Sequence, residues 1–535
     1  MKKIPTYLRI SSSFIIIAPI IAWWVEYTLV TPVPFYYRYG EIVTYFIDSL
    51  AVFNGSTYSY IDHPGTPVSV IGSILLALTY PFTSGGDFTL YHLSHPLIFV
   101  TLTNIFLTLS FIIGALYFYK TSQSILTKAP LTASLFLSLM YFFLHTQSFD
   151  GTTLWHQNSF SYPFGMPLLL FLFFMLMDNR TMENRRLFLF GFLEGIFSAV
   201  QFFFIAWPIC SAITIFIFYR MKKETTWTAL KASFFLIVSA VIGFLTAVLP
   251  IINKLPGFFR WIINVVASDR RYDQGAHRFF SWKTFLDGFS NLIHAQPILF
   301  QAAAILILMF LLLVLIKRAN VPLHFGLSAL GFGLILQIVF LTLMFVREPG
   351  PLYGLSIAAT LPVLALVNLK LLEEKLDSQN EKIYGVVIVC MFVFASLVTF
   401  SNLSTAIEKY RYIVKIENSA YVETNKFISN YAKSTNPVII HTPDSLDECA
   451  VLLFGRGYAH LQIDSQLSQI CPNQYYYDFW VKELFVKEER YALNQVDWDL
   501  LIVGKSYLYQ ELLSLIRKET VHEITPGYII VENKR

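Results

Sequence analysis

Charge is what this 535-residue sequence has little of: Asp, Glu, Lys and Arg make up 14% of it, against about a quarter in an ordinary water-soluble domain. A chain so poor in charge cannot cover a freely soluble globule of this size. The charges it has nearly cancel, 39 basic against 35 acidic for a formal +4, so no polycationic surface offers itself to nucleic acid. Cysteines number only four, too few for a scaffold built on disulfides. No internal repeat or low-complexity tract is present. Residues from about 408 onward hold no Gly-rich phosphate loop and no metal-spaced cluster of His and Cys, which removes the usual sequence signs of catalysis from the C-terminal part.

Apolar residues are plentiful instead, 55% of the chain with a mean hydropathy of +0.56, and this defines a polytopic membrane protein. The 50 Phe suit lipid-facing packing, and the 30 Tyr suit interfacial belts. Met1-Lys2-Lys3 and Arg9 precede an apolar run over 10–30. That run is too long for the core of a signal peptide and no small-residue cleavage site follows, so the sequence predicts an uncleaved first helix. Further stretches near the ~20 residues needed to span a bilayer occur at about 97–119, 131–147, 164–178, 229–252, 297–316, 324–346, 352–369 and 383–401. The segment 67–82 is short for a span. If it lies along the outer surface or re-enters, Lys120, Lys128, Arg180, Arg185 and Arg186 fall on the cytoplasmic side, as the positive-inside rule prefers. The segment 187–219 has basic residues at both flanks and reads as two short helices kinked near Pro208. The count is about eleven spans with the C-terminus outside, leaving external loops at 31–96, 148–163 and 253–296.

Near Glu408 the hydropathy changes. The stretches 436–441, 499–504 and 527–533 read as strands and 507–518 as an amphipathic helix. The expected division is a membrane domain over 1–405 and an external α/β domain over 406–535. Cys210 and Cys390 fall in apolar spans as small inert residues. Cys449 and Cys471 lie in the C-terminal part, where a disulfide is open to them if it faces an oxidising compartment, though the sequence does not supply its geometry.

The polar clusters in the outer loops carry whatever chemistry there is. In the first loop, Arg38-Tyr39-Gly40-Glu41 opens a predicted amphipathic helix on which Glu41, Tyr45 and Asp48 share one face. That face is either a solvated surface or the home of a general base. The segment Tyr60-Ile61-Asp62-His63-Pro64-Gly65-Thr66-Pro67 then leads into the 67–82 helix, with Thr66 suited to a cap and Pro67 to an early helical position. Asp62 and His63 either shape this turn or take part in catalysis. In the second loop Asp150 stands before Gly151, with His156 and Asn158 following. It either orients an acceptor, ligates a divalent cation with Glu41, or makes an Asp-Gly turn. The third loop carries Arg270 and Arg271 among Lys254, Arg260, Arg278 and Lys283, and Arg347 stands at an outer membrane boundary. Arginine forks suit phosphate oxygens. Glu194 falls in mid-span with Gln201 seven residues on; an acid there faces the bundle interior, as a packing device, as part of a lipid-substrate groove, or as a transporter's proton site.

This layout resembles the polyprenyl-phosphate-sugar-dependent membrane glycosyltransferases of the GT-C fold, the group of protein O-mannosyltransferases and of the aminoarabinose transferase acting on lipid A. Gly40-Glu41 stands where the family commonly has an Asp-Glu pair, and His63-Pro64-Gly65 where it has His-Pro-Pro. Asp150 and Arg347 match an acidic position and a phosphate-facing basic position. The resemblance covers about residues 1–400 and implies an inverting glycosyltransferase of the plasma membrane with its active site and C-terminal domain external. Its donor would be a polyprenyl-phosphate sugar and its acceptor a lipid, glycan or protein. Glu41 would be the base, with Asp48 and Asp62 competing for the role, Asp150 assisting and Arg347, Arg270 and Arg271 on the donor phosphate. Metal use is open, since members of the group differ. A transporter or flippase of lipid-linked sugars is the rival reading, with Glu194 its best support, and an inactive scaffold is a third.

Overall fold

The computed structural model describes residues 6–29, 40–56, 65–83, 87–145, 147–177, 182–267, 282–315, 325–346, 352, 354–376, 380–432, 437–442, 445, 447–456, 461–478, 483–486, 489–504, 519–525 and 528–533. Its contacts group the chain into two compact units, one of Met1–Val25, Ile61–Pro67 and Asn104–Ile407, the other of Glu26–Tyr60, Val68–Thr103 and Glu408–Arg535.

The helices run in chain order as α1 (Thr6–Leu29), α2 (Gly40–Phe53), α3 (Thr66–Ala77), α4 (Phe88–Ser94), α5 (Leu97–Ile125), α6 (Pro130–Leu144) and α7 (Ser148–Thr153). They continue as α8 (Met166–Met177), α9 (Asn184–Ser198), α10 (Ala206–Met221), α11 (Thr226–Ala247), α12 (Leu255–Ala267) and α13 (Trp282–Ala295). Four long ones follow: α14 (Pro297–Leu315), α15 (Phe325–Phe345), α16 (Gly354–Lys375) and α17 (Glu381–Ala432). Among the described residues, nine helices are long and apolar enough to cross a membrane. Adding α6 and α9, shorter but lying at two of the expected crossings, reaches the eleven of the sequence reading. The expected class, a many-spanned helical membrane protein with short apolar helices after its first span and a small α/β part, is present.

Within the first unit α16 is the axis. Every residue over 354–369 is buried, because α6, α8, α14 and α15 pack around it. A helix apolar on all sides is what such a central position requires. By contrast α1 buries one stripe, Ile16, Ile20 and Trp23, and leaves Phe14 and Leu29 exposed, as a helix does that faces lipid. The 187–219 stretch is broken as expected but not at Pro208. The break falls at 199–201, and Pro208 is the third residue of α10, just after the 3-10 turn Phe202–Ile205; the Phe204 carbonyl that its missing N–H would have met accepts from Ser198 Oγ at 3.2 Å instead.

The second unit is built on a seven-stranded sheet of order β4-β3-β2-β1-β5-β7-β6. Its strands are β1 (Ile439–His441), β2 (Gln474–Asp478), β3 (Glu483–Val486), β4 (Glu489–Tyr491), β5 (Leu500–Gly504), β6 (Glu519–Thr525) and β7 (Tyr528–Asn533). β2, β1 and β5 are parallel, and the outer strands pair antiparallel. Helices α18 (Glu448–Arg456) and α19 (Leu461–Ile470) make the β1–β2 crossover. One sheet face buries Ile440, Leu501 and Val531 around Trp498. The other buries Ile439, Leu500, Ile502 and Ile530 under Phe427, Ile428 and Tyr431 of α17. The three expected strands are β1, β5 and β7; the expected helix over 507–518 lies outside the described residues. A helix end is absent where the hydropathy changes: α17 runs unbroken from Glu381 to Ala432. Past its apolar part it is held by Tyr410, whose hydroxyl donates to the Tyr27 carbonyl at 3.0 Å, and by Arg411, whose guanidinium forks onto Glu26.

Candidate functional site

Of the acids and arginines singled out in the sequence, the structure describes some and not others. Asp62, His63, Arg270, Arg271 and Arg347 lie outside the described residues, and Glu41 is placed only as the second residue of α2. The side chains it does describe are Asp48, Asp150 and Glu194.

Asp150 is in a setting the sequence only hinted at. It does not begin an Asp-Gly turn but sits in the first turn of α7, half-buried, with its carbonyl accepting from the Leu154 N–H at 2.8 Å. The segment around it is a folded, largely buried insertion rather than an open loop, passing through short helical turns at Gln157–Phe160 and Ser161–Gly165 straight into α8. Polar bonds pin it at several points. Trp23 Nε1 donates to Thr153 Oγ1 at 3.1 Å, Thr108 Oγ1 to the Thr152 carbonyl at 3.2 Å, and Ser148 Oγ to the Tyr141 carbonyl at 2.7 Å. His145 Nδ1 accepts from the Gln147 N–H and His156 Nδ1 from the Asn158 N–H, each at 3.1 Å, so each neutral ring carries its proton on Nε2.

Two glycines let this segment close. A Cβ at Gly151 would meet Leu355 at 3.2 Å and the Tyr141 hydroxyl at 3.4 Å. A Cβ at Gly354 would lie 1.9 Å from Gln296 Oε1 and 2.7 Å from His145 Nε2. Thus Tyr141 points its hydroxyl at the residue next to Asp150, while Gln296 and His145 converge on the start of α16. The hydroxyls of Tyr141 and Tyr162 and both amide atoms of Asn158 are buried without a hydrogen-bond partner among the described residues. Buried polar groups are normally paired, so the segment holds more hydrogen-bonding capacity than the described residues use. Tyr141, Tyr162, Gln296 and Gly354 were missed in the sequence. The one signal was the polar run 145–161, too long and too polar for a tight connection between two apolar stretches.

The helix α2 differs more sharply from expectation. It is not an interfacial helix with a wet acidic face, since every residue from Ile42 to Ala51 is buried, Asp48 included. Its covers come from the same unit: α18 packs against it, Phe99 meets Phe46 with ring centroids 5.0 Å apart, and Gly72 of α3 comes so close that a Cβ there would strike Ser49 Oγ. The turn into α3 differs too. Gly65 adopts φ +56°, a conformation closed to proline, whose ring holds φ near −65°. Thr66 is already the first residue of α3.

Glu194 is fully buried in α9 and accepts a 2.6 Å hydrogen bond from Ser211 Oγ of α10, joining the two helices across the break. Among the described residues no group of three or more His, Cys, Asp or Glu is gathered as a metal ion would need.

No family model and no curated protein matches the chain. Among solved structures it is similar to the crystal structure of ArnT from Cupriavidus metallidurans bound to undecaprenyl phosphate, at 12% identity over 97% of each chain and a TM-score of 0.49.

Proposed function

We propose that the protein is a membrane glycosyltransferase of the GT-C kind, moving a sugar from a polyprenyl-phosphate donor to a hydroxyl acceptor at the external face with inversion. The observation that carries this reading is the Asp150 segment: a half-buried acid on a short helix, set in a folded, largely buried polar insertion between two spans. An acid fixed in that way suits orienting a hydroxyl nucleophile, because its surroundings do not have to reorganise as the acceptor attacks. Glu41, at the start of α2, is the proposed base, and Arg347 with Arg270 and Arg271 would meet the departing phosphate. Asp62 and His63, which precede α3 in the sequence, would take part in catalysis beside Glu41. An external C-terminal part agrees with the bond between Cys449 and Cys471, since such bonds persist in oxidising compartments. The plasma membrane is the proposed location.

The test is release of sugar from a polyprenyl-phosphate donor by purified protein, with Asp150→Asn and Glu41→Gln beside the wild type. Removing an orienting acid should lower turnover by about 10²–10³-fold, and removing the base by about 10²–10⁴-fold. Wild-type turnover left intact in both variants would sink the residue assignment. Transport of an intact lipid-linked sugar, with no release from any donor, would replace the enzyme by a flippase.

A further inference from the structure

The C-terminal part has no catalytic motif, yet two of its helices grip the outer-loop helices of the same unit. Four successive residues of α18, Ala450 to Leu453, are buried. Steps of about 100° per residue carry those four most of the way round the helix, so α18 is covered on opposite sides. One cover is the sheet, where Phe454 meets Tyr476 edge-on at 5.5 Å, and the other is α2. In parallel, α19 packs against α4. There Gln466 Nε2 donates to Asp87 Oδ2 at 2.6 Å, while Asp87 Oδ1 caps α4 by accepting from the Thr89 and Leu90 N–H groups at 2.9 and 3.1 Å.

With 9 and 10 residues, α18 and α19 are each below the length at which a helix holds itself. They are tied by one covalent bond. Cys449 is the second residue of α18 and Cys471 directly follows α19, so the disulfide joins the two ends of the pair remote from their short connection. Both cysteines are buried.

We infer that the Cys449–Cys471 bond is a positioning device for α2 and α4: it holds α18 and α19 in the arrangement that grips those helices, and so fixes the helix that carries Glu41 and Asp48. Opening it takes two electrons and two protons from a dithiol, which becomes a cyclic disulfide as Cys449 and Cys471 become thiols. The structural part of this inference is independent of the proposed reaction. Its consequence for turnover rests on that reading.

The full-length protein in detergent is compared oxidised, reduced with dithiothreitol, and as the double variant Cys449→Ser/Cys471→Ser, which serves where burial keeps the reductant out. Hydrogen exchange is followed in peptides covering 42–53 and 88–94, with alkylation and mass measurement confirming the redox state. Exchange in both peptides should rise at least ten-fold in the reduced or serine form, return on reoxidation of the reduced protein, and stay unchanged in α9 and α11. Gln466→Ala should raise it in 88–94 alone. Unchanged exchange in 42–53 after confirmed loss of the bond would overturn the inference. So would an equal rise in β5 and β7, because the bond would then serve the whole sheet and not the grip. In the activity assay, turnover should fall with the donor KM held. Altered exchange in a protein whose oxidised form releases no sugar would leave the positioning role standing and remove the glycosyltransferase.

Discussion

Substitution of Gly195 by alanine should separate two helices of the membrane bundle, and the structure says by how much. α9 and α11 meet through glycines spaced four apart, in the small-residue mode that lets backbones touch. A Cβ at Gly195 would lie 1.9 Å from the Ala240 carbonyl oxygen, one at Gly191 2.6 Å from that of Leu236, and one at Gly243 2.0 Å from that of Phe192. Ordinary contact begins at 3.4 Å, so the helices must part by about 1.5 Å at Gly195. The obstacle is backbone rather than a side-chain tip, and no rotamer change relieves it. Overpacking costs typically 1–3 kcal/mol, and a backbone clash belongs at or above the top of that range, about 3 kcal/mol. In thermal unfolding in detergent this should lower the midpoint by roughly 3 °C. The control is Gly385→Ala on α17, where a Cβ meets nothing within 4 Å. There the better helix former should be neutral or stabilising by up to about 1 kcal/mol. Equal midpoints for Gly195→Ala and Gly385→Ala would refute the close-packing argument.

Glu373 on α16 accepts from the Thr127 N–H at 2.9 Å, Thr127 Oγ1 at 3.0 Å and the Lys128 N–H at 2.8 Å. Glu373→Gln puts an NH₂ against one of those donors and should cost about 1.5–3 kcal/mol, seen as roughly ten-fold or greater acceleration of exchange at the Thr127 and Lys128 amides; protection as in the wild type would contradict it. His92 on α4 is fully buried, and burial, with His95 beside it, pushes its pKa down from 6.5 to about 4. Thr79 Oγ1 already donates to the Leu76 carbonyl, so His92 Nε2 donates to Thr79 Oγ1 at 2.9 Å and Nδ1 is left unprotonated. Between pH 6.5 and 4 the unfolded chain binds a proton there that the folded one does not. Stability should therefore fall as pH drops through that window, by at most about 3 kcal/mol, and His92→Phe should flatten the dependence of α4 exchange on pH. A slope unchanged by that substitution would show that His92 is not the group responsible.

The number and rough placement of the spans could be read from the chain because each is an uninterrupted apolar run whose length is set by the bilayer. The flanking lysines and arginines did the rest, even for the pair α9 and α10. The break between those helices was assigned to Pro208, although that proline lies inside the helical run that starts at Phe202 and Ala199 to Gln201 form the interruption. The strands β1, β5 and β7 showed as apolar runs. Those of β2, with its three tyrosines, and of β3 and β4, only 4 and 3 residues long, lack such a run. The buried state of α2 was illegible for a different reason. Its alternation of Ile, Phe and Leu with Thr, Tyr and Asp has the look of one wet face, and among its covers is α18, about four hundred residues away in the chain. Asp150 was found by its residue type and its place after a span. The partners that shape its surroundings, Tyr141, Gln296 and Gly354, are ordinary in their local sequence and gain meaning only through long-range contact.

The residue at position 65 shows that the spelling of a motif and its shape can part company. Written beside the His-Pro-Pro segments it resembles, Gly65 looks like a defect that a proline would mend. The peptide there bends to the left-handed side, an avenue no pyrrolidine ring can enter, so a proline would move the first turn of the following helix rather than mend it. At its third residue the match to that tripeptide is thus one of position in the chain and not of conformation.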